Sequence, residues 1–363
     1  MKAIIPTKTL TEALGHVERI IPSRSSNPGL SLLRIRLEPG RVVMSGSNMD
    51  IDVRAAVAGD VSELRDVALP AAVFAQVIRA LPSADTVALT FHEQELEVEA
   101  GNFDTRLQLV APESAPDLSF VDTFPGEVDG ALLARALERV RYAAAVADYQ
   151  AVFRGVKFEL RDGHLRTVAT DGFRLASYTA HVNSGIDQEF ILPGRSVDEL
   201  IRVLAPGLAN LHLDSSQLTV LSDGVALNIK RMEGTFPDYQ RVIPNNFPVS
   251  VTLPADALAE AVDRVAVMAD KSANHRVDLF IKDGVVRITA EGSFGRAQEA
   301  IPVSQEGGEE EIALAYNAKY LVDAVSPIAG DLQLRFSGTT SPSVIHDLSD
   351  PAYLAMVVPL RTA

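Results

Sequence analysis

Apolar residues recur at i, i+3, i+4 and i+7 in several separate stretches of this chain, and between those stretches apolar and polar positions alternate. Leu10, Ala13, Leu14 and Val17 show the first spacing within "TLTEALGHV" (9–17). The same offsets return in "LLARALERV" (132–140) and "ALAEAVDRV" (257–265), with Leu10, Leu133 and Leu258 in register. A 3.6-residue period predicts amphipathic helices, and their recurrence at intervals of about 120 residues marks an internal repeat.

A second helical stretch follows a Leu-Pro or Leu-Ala step in each third: "LPAAVFAQVIRALP" from Leu69, "LPGRSVDELIRVLAP" from Leu192 and "LAYNAKYLVDAVSP" from Leu314. The helices are expected over 8–20, 71–81, 131–142, 194–205, 256–268 and 316–326. Alternating runs such as "LHLDSSQLTVLSDGVALNIK" (211–230), broken by Ser-Asp-Gly, predict strands and tight turns. The connectors are too short for helical crossovers, so the sheets should be mainly antiparallel. The Pro-rich segments "APESAPDLSF" (111–120) and "EGTFPDYQRVIP" (233–244) precede new thirds. The fold expected is α+β: three repeated domains over 1–122, 123–246 and 247–363, each with two helices packed on antiparallel sheets. In all, a strand, a helix and alternating strands occur six times.

Composition narrows the chemistry. No apolar run approaches the ~18 residues of a membrane span, and "MKAIIPTKTL" has neither an apolar h-region nor a small-residue cleavage site, so the cytoplasm is expected. The absence of Cys removes disulfides, thiolate metal sites and a Cys nucleophile. The seven His are scattered, with no i, i+4 pair, so neither a metal nor a cofactor is expected.

The net charge of −15 by itself points away from nucleic acid. Its distribution changes that inference. The six helical stretches hold ten Lys or Arg against nine Asp or Glu, so the acidity belongs to strands and loops. Helices lining a hole would present cations inward. Six helices spaced at ~10 Å leave a pore of only ~9 Å, whereas twelve leave ~28 Å, enough for duplex DNA. Two chains are then required, and phosphate contacts from scattered cations would be independent of sequence.

One segment stands apart. "VATDGFRLASY" (168–178) sets an acid, a glycine, an aromatic and an arginine at the end of an apolar run. On its own it reads either as a turn, with Asp171 bonding nearby amides, Gly172 at positive φ and Arg174 paired with a carboxylate, or as the rim of a binding site. An apolar tail such as "AMVVPLRTA" normally frays unless it docks.

With three such domains, "TVATDGFRLA" (167–176), "FPDYQRVIP" (236–244) and that tail, the chain closely resembles the bacterial DNA polymerase III beta subunit family along essentially its whole length. The resemblance implies the DNA clamp fold and a ring-forming, head-to-tail homodimer. Such a ring encloses double-stranded DNA and tethers the polymerase III alpha subunit, the clamp loader, other polymerases and repair proteins through short peptide motifs. It implies a partner-peptide groove from Phe153, Thr170, Gly172, Phe173, Arg174, Leu175, Pro237, Arg241, Val242, Met356, Val357, Val358, Pro359, Leu360 and Arg361. It implies DNA contacts from Arg24, Arg79, Arg135, Arg139, Arg141, Arg195 and Arg202, and a dimer seam at Leu107 against Val267 and Met268. Phe173 stands where the family often has His, and Thr362 and Ala363 extend past Arg361.

Two other readings compete. Catalysis by Asp171 with Arg174 lacks company: the chain has no phosphate-binding G-x-x-x-x-G-K-[ST] loop, no G-x-G-x-x-G and no G-x-S-x-G. A peptide-binding scaffold that never encircles DNA fits the acidic exterior equally well. Topology separates it from a clamp.

Overall fold

The computed structural model describes residues 1–61, 63–146, 151–307 and 311–361. Six units of the order strand, helix, strand, strand, strand follow one another. The first holds β1 (Lys2–Pro6), α1 (Thr7–Ile20), β2 (Leu32–Glu38), β3 (Arg41–Ser47) and β4 (Ile51–Ala58). The second holds β5 (Arg65–Pro70), α2 (Ala71–Arg79), β6 (Thr86–Phe91), β7 (Glu95–Ala100) and β8 (Phe103–Gln108). The third comprises β9 (Gly126–Asp129), α3 (Gly130–Arg141), β10 (Gly155–Arg161), β11 (His164–Thr170) and β12 (Arg174–His181). The fourth comprises β13 (Gln188–Pro193), α4 (Gly194–Val203), β14 (Leu208–Leu213), β15 (Gln217–Ser222) and β16 (Val225–Lys230). In the fifth come β17 (Val249–Pro254), α5 (Ala255–Ala266), β18 (Arg276–Lys282), β19 (Val285–Gly292) and β20 (Gly295–Pro302). After a short β21 (Ser304–Glu306), the sixth has β22 (Ile312–Asn317), α6 (Ala318–Val325), β23 (Asp331–Phe336), β24 (Ser343–Asp347) and β25 (Tyr353–Val357).

All six expected helices are present, their ends within two residues of the periodic stretches. Proline explains the sharp strand-to-helix junctions. Pro6, Pro70 and Pro254 sit at the N-caps with φ between −63° and −58°, lacking the N–H a strand would need and preset for a helical start. At α6 the Asn317 side chain caps instead, accepting from the Tyr320 amide at 3.3 Å. None of the described helices is long and apolar enough to cross a membrane.

The units exchange strands. β1 pairs with β6, and β5 pairs with β2, so neighbouring units complete each other's sheets. A four-stranded sheet runs β1-β6-β7-β8 and an eight-stranded one β5-β2-β3-β4-β16-β15-β14-β9. A nine-stranded sheet runs β13-β10-β11-β12-β25-β24-β23-β17-β21, and a second four-stranded one β20-β19-β18-β22. Every pairing among the described strands is antiparallel.

Two compact units result: Met1–Leu133 with Ser184–Ile186 and Asp198–Arg231, and Ala134–Asn183 with Asp187–Val197 and Met232–Ala363. They divide the chain differently from its sequence thirds. The middle third gives β9 and β14–β16 to one long sheet and β10–β13 to the other.

In the first unit α1 packs beside α2 and onto β3 and β4; in the second α5 packs beside α6 and onto β17–β20. Leu10, Ala13, Leu14, Val17 and Ile20 are the buried stripe of α1, and Leu258, Ala261, Val262 and Val265 that of α5. The opposite faces stay in solvent. Removing one such side chain, as in Leu10→Ala, should cost about 2–5 kcal/mol.

Candidate functional site

The β11–β12 hairpin carries "TDGF" at its tip. Asp171 Oδ1 accepts from the Phe173 amide at 2.9 Å and the Arg174 amide at 3.0 Å, while the Thr170 hydroxyl donates to the Arg174 carbonyl at 2.6 Å and accepts from the Gly172 amide at 3.1 Å. The Asp171 side chain satisfies the turn's amides, and Gly172 sits at φ +90°, a conformation that glycine adopts without strain. A Cβ there would stand 3.9 Å from the Phe153 ring.

Arg174 points inward. Its Nε donates to Asp171 Oδ2 at 3.0 Å and its Nη1 to Asp323 Oδ2 of α6 at 2.6 Å. The guanidinium carbon lies 4.5 Å from the Tyr320 ring centre and 5.5 Å from that of Tyr142. The Tyr142 hydroxyl meets the Tyr353 hydroxyl at 2.8 Å, and Tyr353 donates to the Ala324 carbonyl at 2.7 Å. Burial pushes both phenols above their ordinary pKa, so they remain neutral. The arginine therefore anchors the hairpin tip to α6 and is not free for an incoming carboxylate.

Around that anchor the three expected segments meet. Leu175 from the hairpin, Met356 from the tail, and Phe236 and Tyr239 from the linker share one apolar cluster with Val168, Ile191 and Val344. Val152, Met232, Ile243, Phe247 and Leu354 pack against it, half-buried. The tail is docked by backbone: Val357 pairs with Arg174 in register, the Val358 amide donates to the Phe173 carbonyl at 2.9 Å, and the Leu360 amide to the Ala315 carbonyl at 2.7 Å.

The expected groove residues divide by exposure. Thr170, Arg174, Leu175, Met356, Val357 and Pro359 are buried, and Phe153, Val358 and Leu360 are half-buried. Gly172, Phe173, Pro237, Arg241, Val242 and Arg361 are exposed. Phe173 and Val242 present apolar surface to solvent at 60% and 52% exposure. Arg241 pairs with Asp238 at 2.7 Å. A cavity of about 470 Å³ adjoins the linker, lined by Phe236, Pro237, Asp238 and Tyr239 together with Lys157 and Glu159. Thr362 and Ala363 lie outside the described residues.

Asp323, Tyr142, Tyr320, Phe236, Val344 and Leu354 were missing from the expected set. Phe236 lay inside a quoted motif. The others belong to segments whose proximity to the hairpin depends on the sheet order, and no local pattern marks them.

The candidate DNA contacts fall into three kinds. Arg24 lies exposed in a loop and Arg195 exposed in the first turn of α4, neither with a partner among the described residues; Arg135 is exposed and bonds Tyr178. Arg79 pairs with Glu18 and Arg202 with Glu199 at the helix surface, and Arg141 donates to the Gly194 carbonyl at 2.7 Å. Arg139 needs correction. Its guanidinium donates to the fully buried Asp347 at 2.8 Å, lies 3.7 Å from Asp350 and covers the Tyr353 ring, so its charge serves the interior.

Helix electrostatics adds a second cause for the cations, since five of the six helices among the described residues carry Arg in the last turn, where the dipole favours positive charge. Of the seam residues, Leu107 is half-buried on β8, and Val267 and Met268 are exposed just past α5.

Protein-family models described as the DNA polymerase III beta subunit N-terminal, central and C-terminal domains match residues 1–119, 127–238 and 240–361. A curated relative, the beta sliding clamp of Caulobacter vibrioides, is 29% identical and aligns over 99% of this chain and 100% of its own. Two solved structures are similar over 100% of both chains: a sliding clamp (DNA polymerase III subunit beta) from Pseudomonas aeruginosa, with TM-score 0.92 at 25% identity, and a DNA polymerase III beta subunit from Thermotoga maritima, with TM-score 0.91 at 26%.

Proposed function

The chain belongs to the DNA polymerase III beta subunit family and is a DNA sliding clamp, and from that premise we propose that it works as a head-to-tail homodimeric ring threaded by duplex DNA. The observation that carries this reading is the sixfold strand–helix–strand–strand–strand order. One chain supplies six helices, too few to surround a duplex, and two supply twelve. Residues 1–122, 123–246 and 247–363 are taken as its three domains.

Arg24, Arg79, Arg135, Arg141, Arg195 and Arg202 would meet phosphates, with Arg139 excluded by its internal pairing. Such contacts hold the duplex loosely and without sequence preference. The ring itself would prevent escape.

The seam would join edge to edge. β8 and β20 each end a four-stranded sheet, so each has one unpaired side. Leu107 lies on the first; the fully exposed Phe294 directly precedes the second, and Met268, which follows Val267, lies against its first residue, Gly295. Head-to-tail pairing of two copies would cover both edges at each of two seams.

The hairpin, linker and tail would take a short peptide from the polymerase III alpha subunit, the clamp loader or another polymerase or repair protein. Exposed Phe173 and Val242, beside half-buried Phe153, Val358 and Leu360, offer an apolar wall for a Leu or Phe anchor. In this reading the protein performs no chemistry, resides in the cytoplasm and relies on a separate ATP-driven loader to open it.

The test is topological. Loaded onto closed circular DNA, the protein should persist at high salt and be lost when the circle is cut. Equal retention on both forms would rule out the ring and favour the peptide-binding scaffold.

A further inference from the structure

The outer face of β2, β3 and β4 carries four arginines against two acids, Glu38 and Asp52, an excess of positive charge in an acidic chain. Strand alternation places Leu33, Ile35, Leu37, Val42, Val53 and Ala55 in the core toward α1, and sends Arg34, Arg36, Arg41 and Arg54 to the opposite face. Register aligns three of these positions in one row: Arg34 of β2 stands opposite Ser45 of β3, which stands opposite Arg54 of β4. At about 4.8 Å per strand, the two arginines flank the serine with backbones about 10 Å apart.

The segment after β8 walls this face. Asp117 accepts from Arg34 at 3.0 Å, the Ser119 carbonyl accepts from Asn228 at 2.9 Å, and Phe120 stacks on the Arg54 guanidinium at 4.7 Å. These tethers close a cavity of about 330 Å³.

Its cations are unequally matched. Arg34 grips Asp66 through two nitrogens, at 2.9 and 2.7 Å, while Arg36 reaches the same carboxylate only at 3.4 Å. Arg41 pairs with Glu38. Among the described residues Arg54 has no ion-pair partner; Asp122 and Glu38 influence it from further away. Burial, then Arg41 and Arg36, lowers its pKa, the response of a cation whose surroundings under-compensate it.

We propose that this cavity binds a phosphoryl group, carried by a ligand no larger than a mononucleotide, between Arg36, Arg54 and the Ser45 hydroxyl. Arg54 has no ion pair among the described residues and Arg36 holds Asp66 only through its 3.4 Å contact, so the two guanidiniums together suit a dianion better than a single carboxylate. The volume lies at the bottom of the range for small-ligand sites, too small for a folded partner. The site lies on the sheet face opposite α1 and does not depend on the clamp reading.

Calorimetric titration of the full chain with inorganic pyrophosphate and, separately, with thymidine monophosphate tests the proposal. Saturable one-to-one binding of either is expected. Arg36→Gln and Arg54→Gln should each weaken it by at least about tenfold, as loss of a charge-assisted hydrogen bond implies, whereas Arg287→Gln on β19, in a different sheet, should not. A preference for the nucleotide would identify a nucleoside phosphate as the natural source, and equal or better binding of pyrophosphate a free phosphate. Arg36 is exposed and its replacement should not disturb folding, so its result stands even if Arg54→Gln is unstable. No binding of either probe at millimolar concentration, or wild-type affinity in Arg36→Gln, would overturn the site.

Discussion

Arg174 and Asp323, 149 residues apart in sequence, meet at 2.6 Å and fasten the β11–β12 hairpin tip to helix α6. Asp171 shares the same guanidinium, and Tyr320 and Tyr142 flank it. Asp323→Ala should therefore leave a buried cation half-matched and lower stability by roughly 1–3 kcal/mol. Urea denaturation checks the loss. Because the tip carries Phe173, peptide affinity should fall as well, and Asp323→Glu should restore part of both. An unchanged denaturation midpoint would mean that Asp171 alone suffices.

Arg139 and Arg195 should behave in opposite ways. Arg139→Ala strands the buried Asp347 and should destabilise the fold by roughly 1–3 kcal/mol. Arg195→Ala removes an exposed cation and should change stability by less than about 0.5 kcal/mol. It should instead reduce the salt dependence of binding to a short duplex by about one unit of slope. Melting curves together with DNA titrations at several salt concentrations separate the two effects.

Acid should weaken the protein in two stages. His346 and His16 are held below the ordinary imidazole pKa, chiefly by burial and then by Arg335 and Arg19 respectively. As pH falls, the unfolded chain takes up these protons first. The stability they contribute is complete above about pH 6.5 and is lost as pH drops through that value toward the folded-state pKa. At Asp347 burial opposes ionisation, but hydrogen bonds from Ser349 and Arg139 outweigh it and depress the carboxyl pKa, so a further loss follows below about pH 3.9. His346→Gln should flatten the decline between about pH 7 and 5. Denaturation midpoints at those two pH values provide the measurement, and a wild-type decline would exclude His346 as a contributor.

The proposed seam predicts a change of mass without unfolding. Val267 is 77% exposed, so Val267→Asp can be accommodated in an isolated chain but not against an apolar partner edge. Sedimentation should then report one chain per particle, with the circular dichroism spectrum unchanged. Leu107→Asp should act alike from the opposite edge. A persistent dimer in both variants would place the seam elsewhere.

Much of this architecture is legible locally. Leu10, Ala13, Leu14 and Val17 announce a helix because a helix returns a residue to the same face every three or four positions. Pro70 and Pro254 mark where strand gives way to helix because each lacks an amide hydrogen. Asp171 and Gly172 declare a turn because the carboxylate satisfies the amides of the next residues and glycine accepts positive φ. In each case the deciding interaction spans a few residues.

Where each element goes was settled at longer range. The sequence by itself determined six helices, their flanking strands, the turn at Asp171 and the apolar character of the tail. Only the tertiary structure decided that β1 pairs with β6, that β12 pairs with β25, and hence that Arg174 finds Asp323 and Arg139 finds Asp347, 208 residues away. Antiparallel partners of similar apolar pattern are interchangeable to a local reading, and the choice among them comes from how all the buried faces fit at once. That choice turned two surface-like arginines into internal anchors.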